Sequence, residues 1–407
     1  MRNRLVALAT PLRQREVRTL FASQLISGLG DWAGRLALTV LVFERSQSAW
    51  WAAAVTVAAL LPWIGPGQVL ATFADRFGRV RVMVAADLAR AVAFGLMLIP
   101  QPVWLLLVLA FMAGLCVPPF VGARASAIVE VVEPEHYGSA LALRGVLSQA
   151  EILAGYAGGG LLIALVGANT ALAINAFTFV ASALLLRSLS STAASRPNHS
   201  TPVGLAGVAT GMRVWRSDPL CTRALLLFVG VSMFMILPEV LVVPVTGELD
   251  VPDELVGVFA SLIAVGSIAG MVMFPTSSDH AGLLRSAALR AAALAGLAGA
   301  LFAVNALPAI ALAFVVSGAV DAIAVPTNQV VGERLPVEGR SAAMAVAGGV
   351  QYGAQVVTVA TAGVIATISS ALVPLIAAMF CAAAVCSWAL VRPPKPAIAG
   401  PEVRQPA

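Results

Sequence analysis

The chain has 407 residues, of which 59% are hydrophobic and only 11% are charged, and its formal net charge is +5. A soluble domain is nearer half apolar and a quarter charged, so this composition excludes an ordinary soluble protein and indicates a polytopic membrane protein. The positive charge comes from arginine apart from Lys395. It is too sparse for a nucleic-acid-binding surface, and no nucleic-acid partner is expected.

The first residues are basic and only briefly apolar. Arg2 and Arg4 precede the short apolar run 5–11, and more arginines follow it without a small-residue cleavage site. This pattern argues against a secretory signal peptide. It predicts a basic segment at the cytoplasmic membrane surface.

Twelve apolar segments follow. A helix needs about 20 mainly apolar residues to cross the hydrocarbon of a bilayer. A window of that length predicts spans 1 to 12 at 19–43, 49–73, 82–100, 103–129, 138–166, 169–187, 222–246, 253–275, 286–304, 307–331, 341–367 and 371–391. The predicted fold is therefore an all-α membrane protein with twelve transmembrane helices.

The loops between these spans alternate in charge. Arg45 is the only basic residue in the loops that follow odd-numbered spans, whereas the loops after even-numbered spans and both termini are rich in arginine. By the positive-inside rule, this alternation places both termini in the cytoplasm. We expect a multi-pass protein of a bacterial-type cytoplasmic membrane.

A polar stretch interrupts the spans in the middle of the chain. Residues 188–202 are rich in Ser, Thr, Ala and Pro, as in a flexible linker. Apolar residues then recur at helical spacing up to Trp215, which predicts an amphipathic helix on the cytoplasmic face. The expected parts are an N-terminal six-helix bundle (1–187), a cytoplasmic linker with this helix (188–216), a C-terminal six-helix bundle (217–391) and a cytoplasmic tail (392–407).

The loop between spans 2 and 3 packs one acid and three arginines around a glycine, at Asp75, Arg76, Gly78, Arg79 and Arg81. Glycine permits a tight turn there, and the arginines reach the headgroups. The composition alone also fits an ordinary positive-inside loop. A similar spacing returns in the second half at Asp279, Gly282 and Arg285, and Gln149 of span 5 is matched by Gln351 of span 11. These matches predict duplicated, pseudo-symmetric halves.

Two six-helix halves, a basic central linker and the D-R-x-G-R loop at Asp75 resemble the major facilitator superfamily. Several further residues resemble its branch of macrolide-efflux and enterobactin exporters, namely Ser23, Gly30, Asp31, Pro62, Asp87, Arg90, Arg124 and Asn175. The resemblance implies transport by alternating access, a monomer, and a cytoplasmic gate at the loop around Asp75. Arg124 and Arg144, near the cytoplasmic ends of spans 4 and 5, are expected to snorkel or to pair with Glu130 or Asp75 in that gate.

Span 5 carries a glycine cluster at Gly155, Gly158, Gly159 and Gly160. Small residues let membrane helices approach closely, so a helix-packing role is expected. The cluster is similar to the antiporter motif of the superfamily, in which it would form a barrier to proton leak, but Tyr156 replaces the motif's proline.

Ionisable residues inside a membrane are costly and normally face the bundle interior. The candidates for substrate binding and proton coupling are Asp31, Arg35, Glu239, Asp321 and Glu151. The resemblance aims the first four at a central cavity, since spans 1, 4, 7 and 10 line it in the superfamily.

The residues themselves leave alternatives open. Asp31 either forms an ion pair with Arg35, one turn away on the same helix face, or takes part in proton coupling or cation contact. Glu239 and Asp321 lack a partner within their own spans. Glu151 has a functional role or merely forms a hydrogen bond to another helix.

These features predict a secondary active transporter, specifically proton-coupled efflux of small amphipathic, drug-like or siderophore-like molecules. The expected partners are the small-molecule substrate, protons and the lipid bilayer. An importer of the same fold is the first alternative, since nothing in the sequence sets the direction of flux. A membrane enzyme or scaffold is the second, although the sequence has no HExxH or GxSxG motif. Neither a cofactor nor a metal is expected, because the four cysteines show no metal-ligand spacing.

Overall fold

A computed structural model of the protein describes residues 10–65, 67, 70, 77–133, 136–189, 205–274, 278–335 and 340–391. Over these residues the secondary structure is helical, with no β-strand among them. The spans keep their predicted numbers and have the following bounds. They are Arg15–Ser46 (span 1), Ala49–Ile64 (span 2), Arg79–Met97 (span 3), Val103–Leu115 with Val117–Val131 (span 4), Tyr137–Arg187 (spans 5 and 6), Pro219–Met235 with Leu237–Glu248 (span 7), Asp253–Met273 (span 8), His280–Ala303 (span 9), Leu307–Asp321 with Ala324–Arg334 (span 10), Arg340–Ile368 (span 11) and Leu372–Val391 (span 12).

The prediction of twelve spans is confirmed within the described residues. Nine helical segments are long and apolar enough to cross a membrane. One of them contains two spans, because Gly167 has φ 80° and ψ 160° and breaks the helix between spans 5 and 6. The two remaining crossings are the short apolar helix of span 2 and span 3, whose buried Asp87 and Arg90 reduce its apolar character.

Three of the spans are broken inside the membrane, each shortly before a proline. Span 4 breaks at Cys116 before Pro118, and span 7 breaks at Ile236 before Pro238. Span 10 breaks between Asp321 and Ala324. Proline has no backbone N–H to continue the helical hydrogen bonds, and polar surroundings inside the bundle allow the freed carbonyls to be satisfied.

The two halves are built alike and meet along two seams. Span 1 packs along the helix of spans 5 and 6, and span 3 packs on span 6. In the second half, span 9 packs on span 12 and span 8 on span 10. Between the halves, span 2 packs on span 11 and span 5 on span 8. Under the duplication, span 2 corresponds to span 8 and span 5 to span 11, so the two seams are equivalent.

Small residues allow the helices to pack closely at both seams. A Cβ added to Gly160 of span 5 would overlap the backbone of Gly257 in span 8. In the other seam, a Cβ on Gly363 of span 11 would lie 2.9 Å from the Cβ of Ala53 in span 2. All four residues lie within two turns of the end of the bundle that carries the arginine-poor loops. The halves are therefore closely packed at that end.

The linker helix occupies Leu205–Ser217 and is docked on the second half. Its Trp215 is 3% exposed and donates a hydrogen bond from Nε1 to the carbonyl oxygen of Ala343 in span 11, at 2.5 Å. The indole packs in a cluster with Leu220, Leu284 and Val331 at the ends of spans 7, 9 and 10. A single tryptophan thus anchors the amphipathic helix that the sequence predicted.

Candidate functional site

A cavity of ≈ 390 Å³ lies between the two halves. Its walls come from spans 1 to 5 of the first half and from spans 7, 8, 10 and 11 of the second. Four of the five predicted residues, Asp31, Arg35, Glu239 and Asp321, are among its lining residues, whereas Glu151 is not. The broken helices of spans 4, 7 and 10 border this cavity, so their irregular backbone lies where the polar side chains gather.

An ion pair crosses the cavity from one half to the other. Arg35 Nη1 of span 1 lies 3.4 Å from Glu239 Oε1 of span 7, and the two side chains are 27% and 20% exposed. Among the described residues, no ion pair within 4.0 Å joins Arg35 to Asp31. The one-helix pair considered from the sequence is not formed, because Arg35 finds its carboxylate in the opposite half instead.

Aromatic side chains flank this ion pair. The guanidinium carbon of Arg35 lies 4.5 Å from the centre of the Trp32 ring. Trp32 also packs on Tyr156 of span 5, with ring centroids 5.2 Å apart. Across the halves, Trp63 of span 2 stacks on Tyr352 of span 11 at 4.9 Å. Such faces suit flat apolar groups and cations.

Negative charge predominates at the cavity. Asp31 and Asp321 have no ion pair within 4.0 Å among the described residues, and Glu239 is engaged by Arg35. The other cation of the lining, Arg90, is engaged by Asp87. Two carboxylates therefore remain to interact with whatever enters the cavity, which favours cationic over anionic ligands.

Asp87 and Arg90 form a buried cluster next to the cavity. Asp87 is 0% exposed and Arg90 4% exposed. The two form an ion pair on one turn of span 3, and Ser182 of span 6 donates a hydrogen bond to Asp87 Oδ2 at 2.6 Å. The Arg90 guanidinium lies between the rings of Phe120 and Phe179, at 4.7 and 4.3 Å from their centres. The cluster joins spans 3, 4 and 6.

Glu151 lies in a separate buried pocket between spans 1 and 5. Its residue is 6% exposed, and its Oε1 atom has no hydrogen-bond partner among the described residues. Gln24, which is 0% exposed, lies beside it and also has an unpartnered Oε1 atom. The five candidates for substrate binding and proton coupling are thus divided between the cavity, which holds four of them, and this pocket.

The cytoplasmic gate motif is described only in part. Asp75 and Arg76 lie outside the described residues, as does the side chain of Glu130, so the expected pairing with Arg124 or Arg144 stays a prediction. Gly78 directly precedes span 3, which begins at Arg79, and Arg81 is exposed.

The corresponding loop of the second half is better described. Asp279 accepts a hydrogen bond from the Gly282 N–H at 3.1 Å and so caps the start of span 9. Arg285 is exposed one turn further along that span.

The span 5 glycines differ in their surroundings. Gly155 packs against Trp32, and Gly159 packs against Ala33, both in span 1. Gly160 packs against Gly257 in span 8. A Cβ on Gly158 would meet no described residue within 4 Å. Three of the four predicted glycines thus lie at helix contacts, and Gly158 does not.

Sequence reasoning missed several of the residues that surround the cavity. Trp32 and Tyr352 were not singled out, and Tyr156 was noted only as a departure from a motif. A usable signal existed for Gln149 and Gln351, since their repetition in the two halves was visible and both line the cavity. Polar residues that recur at matching positions of the two halves are therefore candidates for the cavity lining, as intramembrane carboxylates are.

Comparison with known proteins agrees with this architecture. The family model of the Major Facilitator Superfamily matches residues 20–282. The multidrug efflux pump Tap of Mycobacterium tuberculosis (strain ATCC 25618 / H37Rv) is 33% identical over 239 residues, which cover 54% of this chain and 56% of Tap. The uncharacterized MFS-type transporter YfiS of Bacillus subtilis (strain 168) is 30% identical over 218 residues, 52% of each chain. The chain spans about half the length of these curated relatives.

Solved structures share the fold. A bacterial homologue of the iron transporter ferroportin in its inward-facing state has a TM-score of 0.71 at 16% identity, covering 93% of this chain and 99% of that one. The peptide transporter POT in complex with sulfate has a TM-score of 0.72 at 13% identity, covering 93% and 94%. At these identities the similarity concerns the fold alone.

Proposed function

This chain belongs to the major facilitator superfamily, and from that premise we propose that it is a secondary active transporter that exports small amphipathic molecules in exchange for protons. The observation that carries the proposal is the cavity between the halves, which Arg35 and Glu239 bridge and in which Asp31 and Asp321 have no ion-pair partner among the described residues. A cavity at the interface of two repeats is the arrangement that alternating access requires.

The proposed substrate class follows from the cavity wall. Trp32, Trp63, Tyr156 and Tyr352 supply apolar faces, and the unpaired carboxylates supply negative charge. This combination suits amphipathic molecules that are weakly or fully cationic. The similarity to the multidrug efflux pump Tap supports export of drug-like molecules. A siderophore-like substrate and import by the same fold remain alternatives.

In the proposed transport cycle, the two halves separate and close at the two seams. With both termini in the cytoplasm, as the loop charges indicate, the tightly packed end at Gly160 and Gly257 is the outer end. The conformation described here is then closed to the outside. Protonation of an intramembrane carboxylate would bias the two halves between inward-open and outward-open forms. Asp31, Glu239, Asp321 and Glu151 are the candidates, and the protein would work as a monomer without enzymatic activity.

A retention assay in living cells tests this function. Cells that express the protein are loaded with ethidium, an amphipathic cation, and its fluorescence is followed after an energy source is added. We expect lower ethidium retention than in vector cells, and we expect Asp31→Asn and Asp321→Asn to raise retention towards the vector level. Glu254→Gln, which alters an exposed carboxylate at the start of span 8, should leave export intact. Greater accumulation than in vector cells would identify an importer instead.

A further inference from the structure

Glu151 is placed differently from the cavity carboxylates. Its sequence neighbours Gln149 and Ile152 line the cavity, but Glu151 itself points into the packing between spans 1 and 5 and is 6% exposed. A buried ionised carboxylate is stable only when it is paired and hydrogen-bonded. Glu151 Oε1 has no hydrogen-bond partner among the described residues.

Span 1 makes room for this carboxyl group. A Cβ added to Gly28 would lie 2.5 Å from Glu151 Oε2 and 2.6 Å from its carboxyl carbon. Glycine at position 28 therefore leaves room for the Glu151 side chain in the conformation described here. The carboxyl group lies against bare backbone, which shields it from water.

Gln24 of span 1 contributes a polar side chain to the same pocket. Its side chain is within hydrogen-bonding reach of Glu151. Gln24 Nε2 donates to Ser148 Oγ at 3.4 Å, and Gln24 Oε1 has no partner among the described residues. Glu151 Oε1 and Gln24 Oε1 are thus two buried oxygens that lack a hydrogen-bond partner among the described residues. A proton on Glu151 would turn its carboxyl group into a hydrogen-bond donor as well as an acceptor.

The charges that act on Glu151 come from neighbouring spans. The charged groups that act on Glu151 from other spans are Arg124 of span 4 and Asp31 of span 1. Arg144, on the same helix as Glu151, acts on Arg124 in turn. Among the described residues, no ion pair within 4.0 Å is formed by Glu151. Its charge is therefore not neutralised in the conformation described here.

We propose that Glu151 is a proton-binding site held apart from the substrate cavity. The inference rests on the proposed proton-coupled export and assigns the proton to span 5 instead of to Asp31 or Asp321. The carboxylate takes one proton from water on one side of the membrane to become a neutral carboxyl group. It returns to the carboxylate when it releases that proton on the other side. Asp31 and Asp321 then remain available to the substrate throughout the cycle.

Infrared difference spectroscopy on the purified full-length protein tests the proton site without any substrate. We expect acid-minus-alkaline spectra to contain the carbonyl stretch of a protonated carboxyl group, and we expect Glu151→Gln to remove one such component. Gly28→Ala, which crowds the carboxyl group without changing its chemistry, should shift the pH midpoint of that component. Asp31→Asn should leave it in place. Identical spectra from wild type and Glu151→Gln would overturn the proposal.

Proteoliposomes test the coupling. We expect ethidium to drive a pH change with wild type and Glu254→Gln, and we expect Glu151→Gln to abolish that pH change while still exchanging labelled for unlabelled ethidium. A Glu151→Gln protein that retains the ethidium-driven pH change, or a sodium-driven exchange that requires Glu151, contradicts the assignment. If wild type moves neither ethidium nor protons, the proposed function fails instead, and the infrared result still decides whether Glu151 binds the proton.

Discussion

Asp87 illustrates how a charge is made tolerable inside this bundle. Its carboxylate is fully buried, yet it has an ion-pair partner in Arg90 and accepts a hydrogen bond from Ser182. The rings of Phe120 and Phe179 both pack against the guanidinium. Desolvation opposes such a pair, and good geometry with further hydrogen bonds offsets that cost. Removing only one of the two residues is therefore expected to cost more stability than removing both.

We predict that Asp87→Ala is strongly destabilising. Removing one partner of a buried ion pair costs about 3–5 kcal/mol, because the other charge is left without compensation. The measurement is the thermal unfolding midpoint of the detergent-purified protein. The double variant Asp87→Ala/Arg90→Met should recover part of the loss, since it leaves no unpaired charge. The exposed control Glu254→Ala should match wild type, and strictly additive losses in the double variant would show that the two residues do not interact.

Among the elements, span 5 contacts span 1, span 8 and the cavity at once. Gly155 and Gly159 allow it to pack on span 1, Gly160 allows it to cross span 8, and Tyr156 faces the cavity. Glu151 lies two turns before Gly158 and adds the buried carboxyl group. Span 5 contacts both halves and borders the cavity. A structural change at the cavity can therefore be transmitted along this helix to its contact with span 8. Proline in place of Tyr156 would remove an aromatic wall of the cavity.

The glycines of span 5 give a matched pair of variants. Gly160→Ala places a Cβ on the Gly257 backbone, and overpacking of this kind typically costs about 1–3 kcal/mol. Gly158→Ala meets no described residue within 4 Å and should be neutral or stabilising by up to about 1 kcal/mol, because alanine favours the helix over glycine. Thermal unfolding of both purified variants gives the comparison. Equal midpoints would mean that spans 5 and 8 are not closely packed in the protein.

At the scale of the whole molecule, the two seams decide which end of the cavity is open. Span 2 against span 11 and span 5 against span 8 are the equivalent contacts of a duplicated structure. Ala53 and Gly363 lie opposite each other in the first seam, so a pair of cysteines there is close enough to cross-link after a small adjustment. Alternating access requires this seam to separate during each cycle.

We therefore predict that a cross-link between Ala53→Cys and Gly363→Cys blocks ethidium export and that a reductant restores it. The variants are made in a background without Cys116, Cys221, Cys381 and Cys386, which are free thiols. Each single cysteine variant serves as a control and should transport ethidium with or without oxidant. Export by a protein that is fully cross-linked would show that this seam does not open during transport.

The number and order of the spans could be read from the sequence, because hydropathy is a local property and the bilayer fixes the length of each crossing. The same holds for the general position of Asp31, Arg35, Glu239 and Asp321, since an intramembrane charge normally faces the bundle interior. The amphipathic spacing that ends at Trp215 likewise predicted the linker helix, although not its docking on the second half. These features depend on short stretches of chain and on the cost of placing charge in lipid.

Only the tertiary structure decided which groups meet. Arg35 pairs with Glu239, about two hundred residues away, instead of with Asp31 one turn away. Glu151 lies behind the cavity wall, and Gly158 faces away from the contacts of its three neighbours. Partner choice depends on the rotation and relative depth of helices that are distant in sequence, and these are set by packing at residues such as Gly28, Gly160 and Gly257. Hydropathy alone fixes neither quantity. The sequence therefore determined which charges would be inside, and the packing determined what each of them touches.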